Sequence, residues 1–251
     1  MKKKQHTNLK SVGILLSLII LFSCIQSNKS QCTRLQSVHE PLSSEIISNL
    51  ESYVIKAMKK YDVPGAAMVL VKGQQVLYSR GFGVRDLRLN NPVTKETLFG
   101  IGSTTKSMTA ILMASMVDDG LIGWDTPVTD VLPSFKLSDS QITQDVTFKH
   151  MLCMCTGVPR RMEEISVRYS EMTAEDIIES LATIPLSGTF EQKFNYSSRM
   201  LATGGYIAAM ASGGKYGNLS QSFAHLMQER LLDPLKMTSS TLSIDRAVAS
   251  N

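Results

Sequence analysis

Long apolar runs, an excess of charge of one sign, and cysteine are all scarce in this chain, and each scarcity removes a class of protein. The one sustained apolar run covers 11 residues, Val12 to Phe22, well short of the ~20 that a membrane-spanning helix needs. A multi-span membrane protein is therefore excluded. Net charge is only +4 over 251 residues, and it is unevenly placed. Residues 1 to 40 hold six basic side chains and one acidic, while the remaining 211 residues hold 20 basic and 21 acidic. A near-neutral body has no field to steer it onto a phosphate backbone, so nucleic acid is not an expected partner. The four cysteines and four histidines show no zinc-type spacing, and neither a metal nor another cofactor is expected. What is present, 43% hydrophobic and 19% charged residues, describes one or two globular domains rather than a disordered chain.

The cationic start (Lys2 to Lys4, Lys10) followed by the short apolar run reads as a secretory signal peptide over residues 1–23. It ends Leu21-Phe22-Ser23-Cys24, which resembles the lipobox of bacterial lipoproteins and makes Cys24 the expected lipid-attached first residue. Residues 24–41 are polar and read as a tether. The protein is expected to be exported to the periplasm or cell envelope and held on a membrane there. Cys32 lies in the tether, and Cys153 and Cys155 are one residue apart. Such a pair does not readily close on itself, so two buried, apolar thiols are expected.

Folding is expected to begin near Leu42. Ile46, Ile47, Leu50, Val54, Ile55 and Met58 recur at helical spacing behind Ser43 or Ser44 as N-cap. Ala66 to Val71 and Val76 to Tyr78 flank the polar turn Lys72-Gly73-Gln74-Gln75, a hairpin signal, with Gly81-Phe82-Gly83 ending the second strand. A long helix after Ser103 carries Met108, Ile111, Leu112, Ser115 and Met116 on one stripe and stops at Asp118-Asp119-Gly120. Further helices are expected from Thr147, over 173–183, around 201–211 and over 221–232. This is a mixed α+β pattern whose sheet is short of strands.

Ser103 stands where a glycine-containing turn enters a helix, and Lys106 is three residues on, so the two side chains share one helical face. A serine hydroxyl becomes a nucleophile when a base removes its proton, and a lysine with a lowered pKa can be that base. The helix start also points free N–H groups where an oxyanion would form. A bare Ser-x-x-Lys is common on exposed helices, so an N-cap serine beside a solvated lysine is the plainer reading of these four residues alone. Thr105 excludes both a phosphate loop and a nucleophile elbow, each of which needs glycine there. Neither His150 nor His225 has a recognisable partner pattern for a Ser-His-Asp site.

The surroundings of Ser103 alter that balance. Asp62-Val63-Pro64-Gly65, Tyr78 to Gly83, Thr97-Leu98-Phe99-Gly100-Ile101-Gly102-Ser103-Thr104-Thr105-Lys106, Leu121 to Val128, Lys149 to Leu152, Thr156-Gly157-Val158-Pro159, Phe194-Asn195-Tyr196-Ser197-Ser198 and Leu232 to Thr238 follow in order. Together they resemble the class C β-lactamase-related family of penicillin-binding serine hydrolases, over roughly residues 45 to 243. The resemblance implies a β-lactamase/transpeptidase-like α/β (α+β) fold, an antiparallel sheet flanked by helices with a helical subdomain, over residues 42–251. It implies Ser103 as acyl-accepting nucleophile, Lys106 as its proton-handling partner and Tyr196 as the second-motif base. Which of the two takes the proton is left open. The implied function is an exported hydrolase forming an acyl-serine on an amide or ester: a β-lactam, a D-alanyl peptide or a small ester. Its partners are then a small-molecule or peptide substrate and, through Cys24, a membrane.

Two departures matter. Ser198 stands where the family has the asparagine that orients the lysine and contacts substrate, and a hydroxyl offers fewer donors than a carboxamide. The family's third motif is expected on a strand well over 100 residues past Tyr196, and 55 residues remain. Lys215-Tyr216-Gly217 has fitting letters, yet it reads as a surface turn. Residues 1–251 are accordingly expected to be an incomplete enzyme, poorly soluble and hydrolytically silent by themselves. The alternative from another class is a non-catalytic penicillin-recognising or scaffold protein of the envelope.

Overall fold

The computed structural model describes residues 42–161 and 172–250. The signal peptide, Cys24, Cys32 and the tether expected from the sequence lie outside the described residues. Among those described, no helix is long and apolar enough to cross a membrane.

Ser43 caps the first helix, α1 (Ser44–Lys60), its side chain accepting from the Ile46 N–H. The apolar stripe read from the sequence is only half used: Ile47, Leu50, Val54 and Met58 are partly covered, whereas Ile46 and Ile55 are exposed. The hairpin follows as β1 (Gly65–Lys72) and β2 (Gln75–Asp86), paired antiparallel. Gly73, at φ 59°, supplies the left-handed backbone its tight turn demands. β2 runs past Gly83 to Asp86, where a strand end was expected, and pairs with β3 (Asn91–Pro92). The glycines there are close-approach positions: a Cβ at Gly65, Gly81 or Gly83 would strike the carbonyl oxygen of Val84, Val93 or Pro64. The three-stranded sheet, ordered β1-β2-β3, thus leaves β1 as an edge and Val69, Val71 and Val76 exposed.

The core lies in the helical part. A 3₁₀ turn at Gly102–Thr104 leads into α2 (Thr105–Asp118). Its buried face is Thr109, Leu112, Met113 and Met116, and Ile111, expected on that stripe, points outward. Short helices α3 (Val128–Val131), α4 (Ser140–Asp145), α5 (Phe148–Cys153) and α6 (Ala174–Ser180) surround it, the last with a capping box from Thr173 and Asp176. Then come α7 (Ser198–Ala211), α8 (Leu219–Met227), a π turn at Gln228–Leu232, and α9 (Ile244–Ser250). Phe135, Phe148, Leu112, Met113, Met116, Met151, Met200 and Ile207 fill the centre with essentially no exposure.

The helix α7 is buried along most of its length because it has two glycines where its neighbours press in. A Cβ on Gly205 would lie 2.8 Å from Phe223 Cε2 and 3.0 Å from Thr109 Cγ2, and one on Gly204 would lie 3.1 Å from Met151 Cβ. These approaches set the α2–α7 spacing. Gly205→Leu is therefore expected to destabilise the fold by about 1–3 kcal/mol through overpacking, read as a lower urea midpoint.

Candidate functional site

Three side chains from two helix entrances converge. Ser103 sits exposed in the 3₁₀ turn, after Gly102 at φ 51°. Lys106, in the first turn of α2, donates from Nζ to Ser103 Oγ at 3.1 Å. Tyr196, 93 residues further along the chain, donates from its hydroxyl to the same Oγ at 2.7 Å. Lys106 Nζ also lies 4.8 Å from the centroid of the Tyr196 ring. The Tyr196 phenol is held below the ordinary tyrosine value, first by its hydrogen bond with Lys106 and then by that with Ser103, against the opposing effect of burial. A hydrogen bond to Ser198, the first residue of α7, adds to the lowering. The structure thus brings together Ser103, Lys106, Tyr196 and Ser198.

Tyr196 is held by a strap over residues 186–197 zipped onto the segment after α5. Ser187 N–H donates to Gly157 O at 2.8 Å, Glu191 N–H to Cys155 O at 2.8 Å and Asn195 N–H to Met154 O at 2.8 Å. Asn195 Nδ2 donates back to Ser187 O at 2.8 Å. Ser197, buried, caps α7 by accepting from Met200 N–H at 3.4 Å, and its own N–H reaches Met154 Sδ at 3.4 Å. Beneath the strap, His150 is 4% exposed, and Thr147 N–H donates to its Nδ1 at 3.0 Å. That leaves Nε2 to carry the proton it donates to Glu191 Oε1 at 2.7 Å. Sequence reasoning missed His150, Glu191 and Met154 as supports, and no local signal pairs residues 41 positions apart.

Cys153 and Cys155 overturn the expectation of two buried thiols. They form a disulfide, and Cys153 is exposed. The intervening Met154 adopts the left-handed conformation, φ 54°, which folds the chain back and leaves the two Cα atoms 5.5 Å apart, within disulfide range.

Lys215-Tyr216-Gly217 occupies an exposed turn between α7 and α8. The 14-residue α7 separates it from Tyr196, and 14 residues of helix span roughly 20 Å. Its ties are structural. Glu175 Oε1 accepts from Gly217 N–H and Leu219 N–H at 2.9 Å each. Glu179 accepts from Tyr216 at 2.8 Å, and burial together with that carboxylate pushes the phenol up to about 12.

The Beta-lactamase family profile matches residues 50–251. Among curated proteins, the chain is similar to Unguisins hydrolase ungD' of Aspergillus campestris, 30% identical over 204 residues, covering 78% of this chain and 36% of that protein. It is also similar to Protein flp of Staphylococcus aureus, 22% identical over 198 residues, covering 78% of this chain and 38% of the relative. The chain therefore spans well under half the length of these relatives. Among solved structures, it superposes on the octameric penicillin-binding protein homologue from Pyrococcus abyssi with TM-score 0.65 and 26% identity, covering 76% of this chain and 43% of that one. The D-alanine carboxypeptidase AmpC from Burkholderia cenocepacia shares the fold, at TM-score 0.64 and 22% identity, with 82% of this chain and 53% of that one covered. A serine, a lysine and a tyrosine meeting at two helix entrances, on this fold and under this profile, place the chain in the beta-lactamase family.

Proposed function

We propose that this protein is an exported serine hydrolase that acts through an acyl-serine at Ser103 on an amide or ester. The observation that carries the reading is the convergence of Lys106 Nζ and the Tyr196 hydroxyl on one serine oxygen, at 3.1 and 2.7 Å. In the reaction, the Ser103 proton passes to the Tyr196–Lys106 pair as Oγ bonds to the substrate carbonyl carbon. The carbonyl electrons move onto oxygen, where backbone N–H donors would stabilise the developing charge. Collapse breaks the bond to the nitrogen or oxygen leaving group, which takes up the proton. Water then attacks the acyl-serine, releasing the acid and restoring Ser103. Tyr196 is the better acceptor of the two, because its phenol is lowered from the ordinary tyrosine value, first by its hydrogen bond with Lys106. Candidate substrates are a β-lactam, a D-alanyl peptide or a small ester. The hydrolase named among the relatives supports the reaction class.

Ser198 favours a second reading, a penicillin-recognising or scaffold protein without turnover, because it offers a short hydroxyl where the family has a carboxamide. A fluorescent penicillin and a chromogenic ester, applied to the full-length gene product and followed by intact mass, separate the two. Turnover marks an enzyme, a persistent adduct a binder, and silence on both a scaffold. Ser103→Ala is expected to abolish any adduct while costing only about 1 kcal/mol of stability. An adduct on the alanine variant would remove Ser103 as nucleophile.

The acylation rate should rise with pH as the Tyr196 phenol ionises, with a midpoint below the ordinary tyrosine value of about 10. Lys106→Ala removes the first cause of that lowering, so the midpoint should move upward and the rate fall by about 10²–10⁴. A pH–rate profile of the two proteins checks both.

The leader motif Ser23-Cys24 supports retention on a membrane, since thioether and amide acyl chains together exceed what stable anchoring requires. Cys24→Ser is expected to shift the protein from the detergent phase to the aqueous phase on partitioning.

A further inference from the structure

The Cys153–Cys155 bridge has no part in acyl transfer, yet it lies in the turn on which the Tyr196 strap rests. With one residue between the cysteines, it takes little freedom from the unfolded chain, so global stability is not its main effect. What it fixes is local. Cys153 is the last residue of α5, and Met154 is its C-cap in left-handed backbone, φ 54° and ψ 41°. Helices that end in this way usually do so on glycine or asparagine, and a methionine there needs outside support. The bridge supplies some of it. An extended Met154 would set the flanking Cα atoms about 7 Å apart, at the limit of disulfide reach, against the 5.5 Å observed.

Three bonds from the strap end on this turn. Cys155 O accepts from Glu191 N–H and Met154 O from Asn195 N–H, each at 2.8 Å, and Met154 Sδ accepts from Ser197 N–H at 3.4 Å. Asn195 and Ser197 are the chain neighbours of Tyr196 on either side. Met154 itself is buried, whereas Cys153 is exposed and Cys155 half-buried. One sulfur of the pair is thus presented to an attacking thiol.

We propose that Cys153–Cys155 is a thiol–disulfide exchange site, attacked by a dithiol at Cys153 Sγ, and that its oxidised form holds Tyr196 against Ser103. A thiolate of the dithiol bonds to Cys153 Sγ. The S–S bond breaks, and its electron pair leaves on Cys155 Sγ, which takes up a proton. The second thiol of the reductant then attacks its own sulfur in the mixed disulfide and releases Cys153 as a thiol. Two electrons and two protons pass to the protein, and the dithiol becomes a cyclic disulfide. Without the bridge, Met154 relaxes from the left-handed region and the three strap bonds weaken together. The consequence for hydrolysis rests on the acyl-serine reading; the exchange and the response of the strap do not.

The test uses the full-length gene product, equilibrated with oxidised or reduced dithiothreitol, blocked with N-ethylmaleimide and mapped by peptide mass. The peptide bearing Cys153 and Cys155 is expected to carry no maleimide in the first case and two in the second, while the protein still melts cooperatively. Hydrogen exchange of the strap peptide, residues 186–197, should quicken about three- to tenfold on reduction, the weight of one lost hydrogen bond, and that of α2 should not change. The double variant Cys153→Ser, Cys155→Ser should show the faster strap exchange from the start and ignore dithiothreitol. Reduction should also slow Ser103-dependent acylation, and reoxidation should restore it. A bridge that resists dithiothreitol in the folded protein, strap exchange indifferent to reduction, or loss of the whole fold on reduction overturns the proposal. A dithiothreitol response that persists in the double variant does so too. Absence of any adduct at Ser103 counts against the acyl-serine reading alone, because strap exchange is read without it.

Discussion

The close packing of α2 against α7 is the constraint on which the rest of the site depends. Gly205 lets Thr109 and Phe223 approach α7 to a distance that any side chain would block, and Gly204 does the same for Met151 of α5. Because Ser103 and Tyr196 stand at the N-terminal entrances of those two helices, a fixed spacing between the helix bodies becomes a fixed distance between their entrances. The 2.7 Å contact from the Tyr196 hydroxyl to Ser103 Oγ is the visible result. Rigid interiors transmit such spacings because side chains there interdigitate at crystal-like density. The methionine-rich centre, with Met113, Met116, Met151 and Met200 essentially without exposure, fills the irregular gaps that the small residues create.

Helix packing sets the separation, but the orientation of the phenol comes from the strap before α7. Its backbone is tied at Gly157, Cys155 and Met154, and the buried His150 holds Glu191 from below at 2.7 Å. These bonds satisfy main-chain groups that a loop beside a core would otherwise leave costly. The Cys153–Cys155 disulfide and the left-handed Met154 lie in the segment that receives two of those bonds. The turn that reverses the chain is therefore also the platform for the catalytic candidate.

Electrostatics then assigns unequal tasks to groups that crowd one serine. Lys106 donates to Ser103 and faces the Tyr196 ring, so its hydrogen bond and its charge both lower the phenol. A tyrosine so placed releases its proton at a pH where a free one would keep it. Arg160, itself exposed, adds a second cation beside the same ring, its Cζ 5.1 Å from the centroid. Positive charge gathered around one phenol in this way favours its ionised form.

Local chemistry alone made several features legible in the sequence. Ser43 reads as a cap, Lys72 to Gln75 as a hairpin turn, and Ser103 with Lys106 as neighbours, because caps, turns and i to i+3 spacing involve only adjacent residues. The family resemblance, resting on motifs from Asp62 to Thr238, brought in Tyr196 and Ser198, which no spacing rule connects to Ser103. What only the tertiary structure decided are relations between distant segments: the outward turn of Ile111, the continuation of β2 past Gly83 to meet β3, the His150–Glu191 support, the Cys153–Cys155 bridge and the placement of Arg160 over Tyr196. Hydrophobic periodicity marks which residues can be buried, but the packing partner selects which of them are. A left-handed residue such as Met154 leaves no trace in composition, since its conformation is imposed by the hydrogen bonds around it.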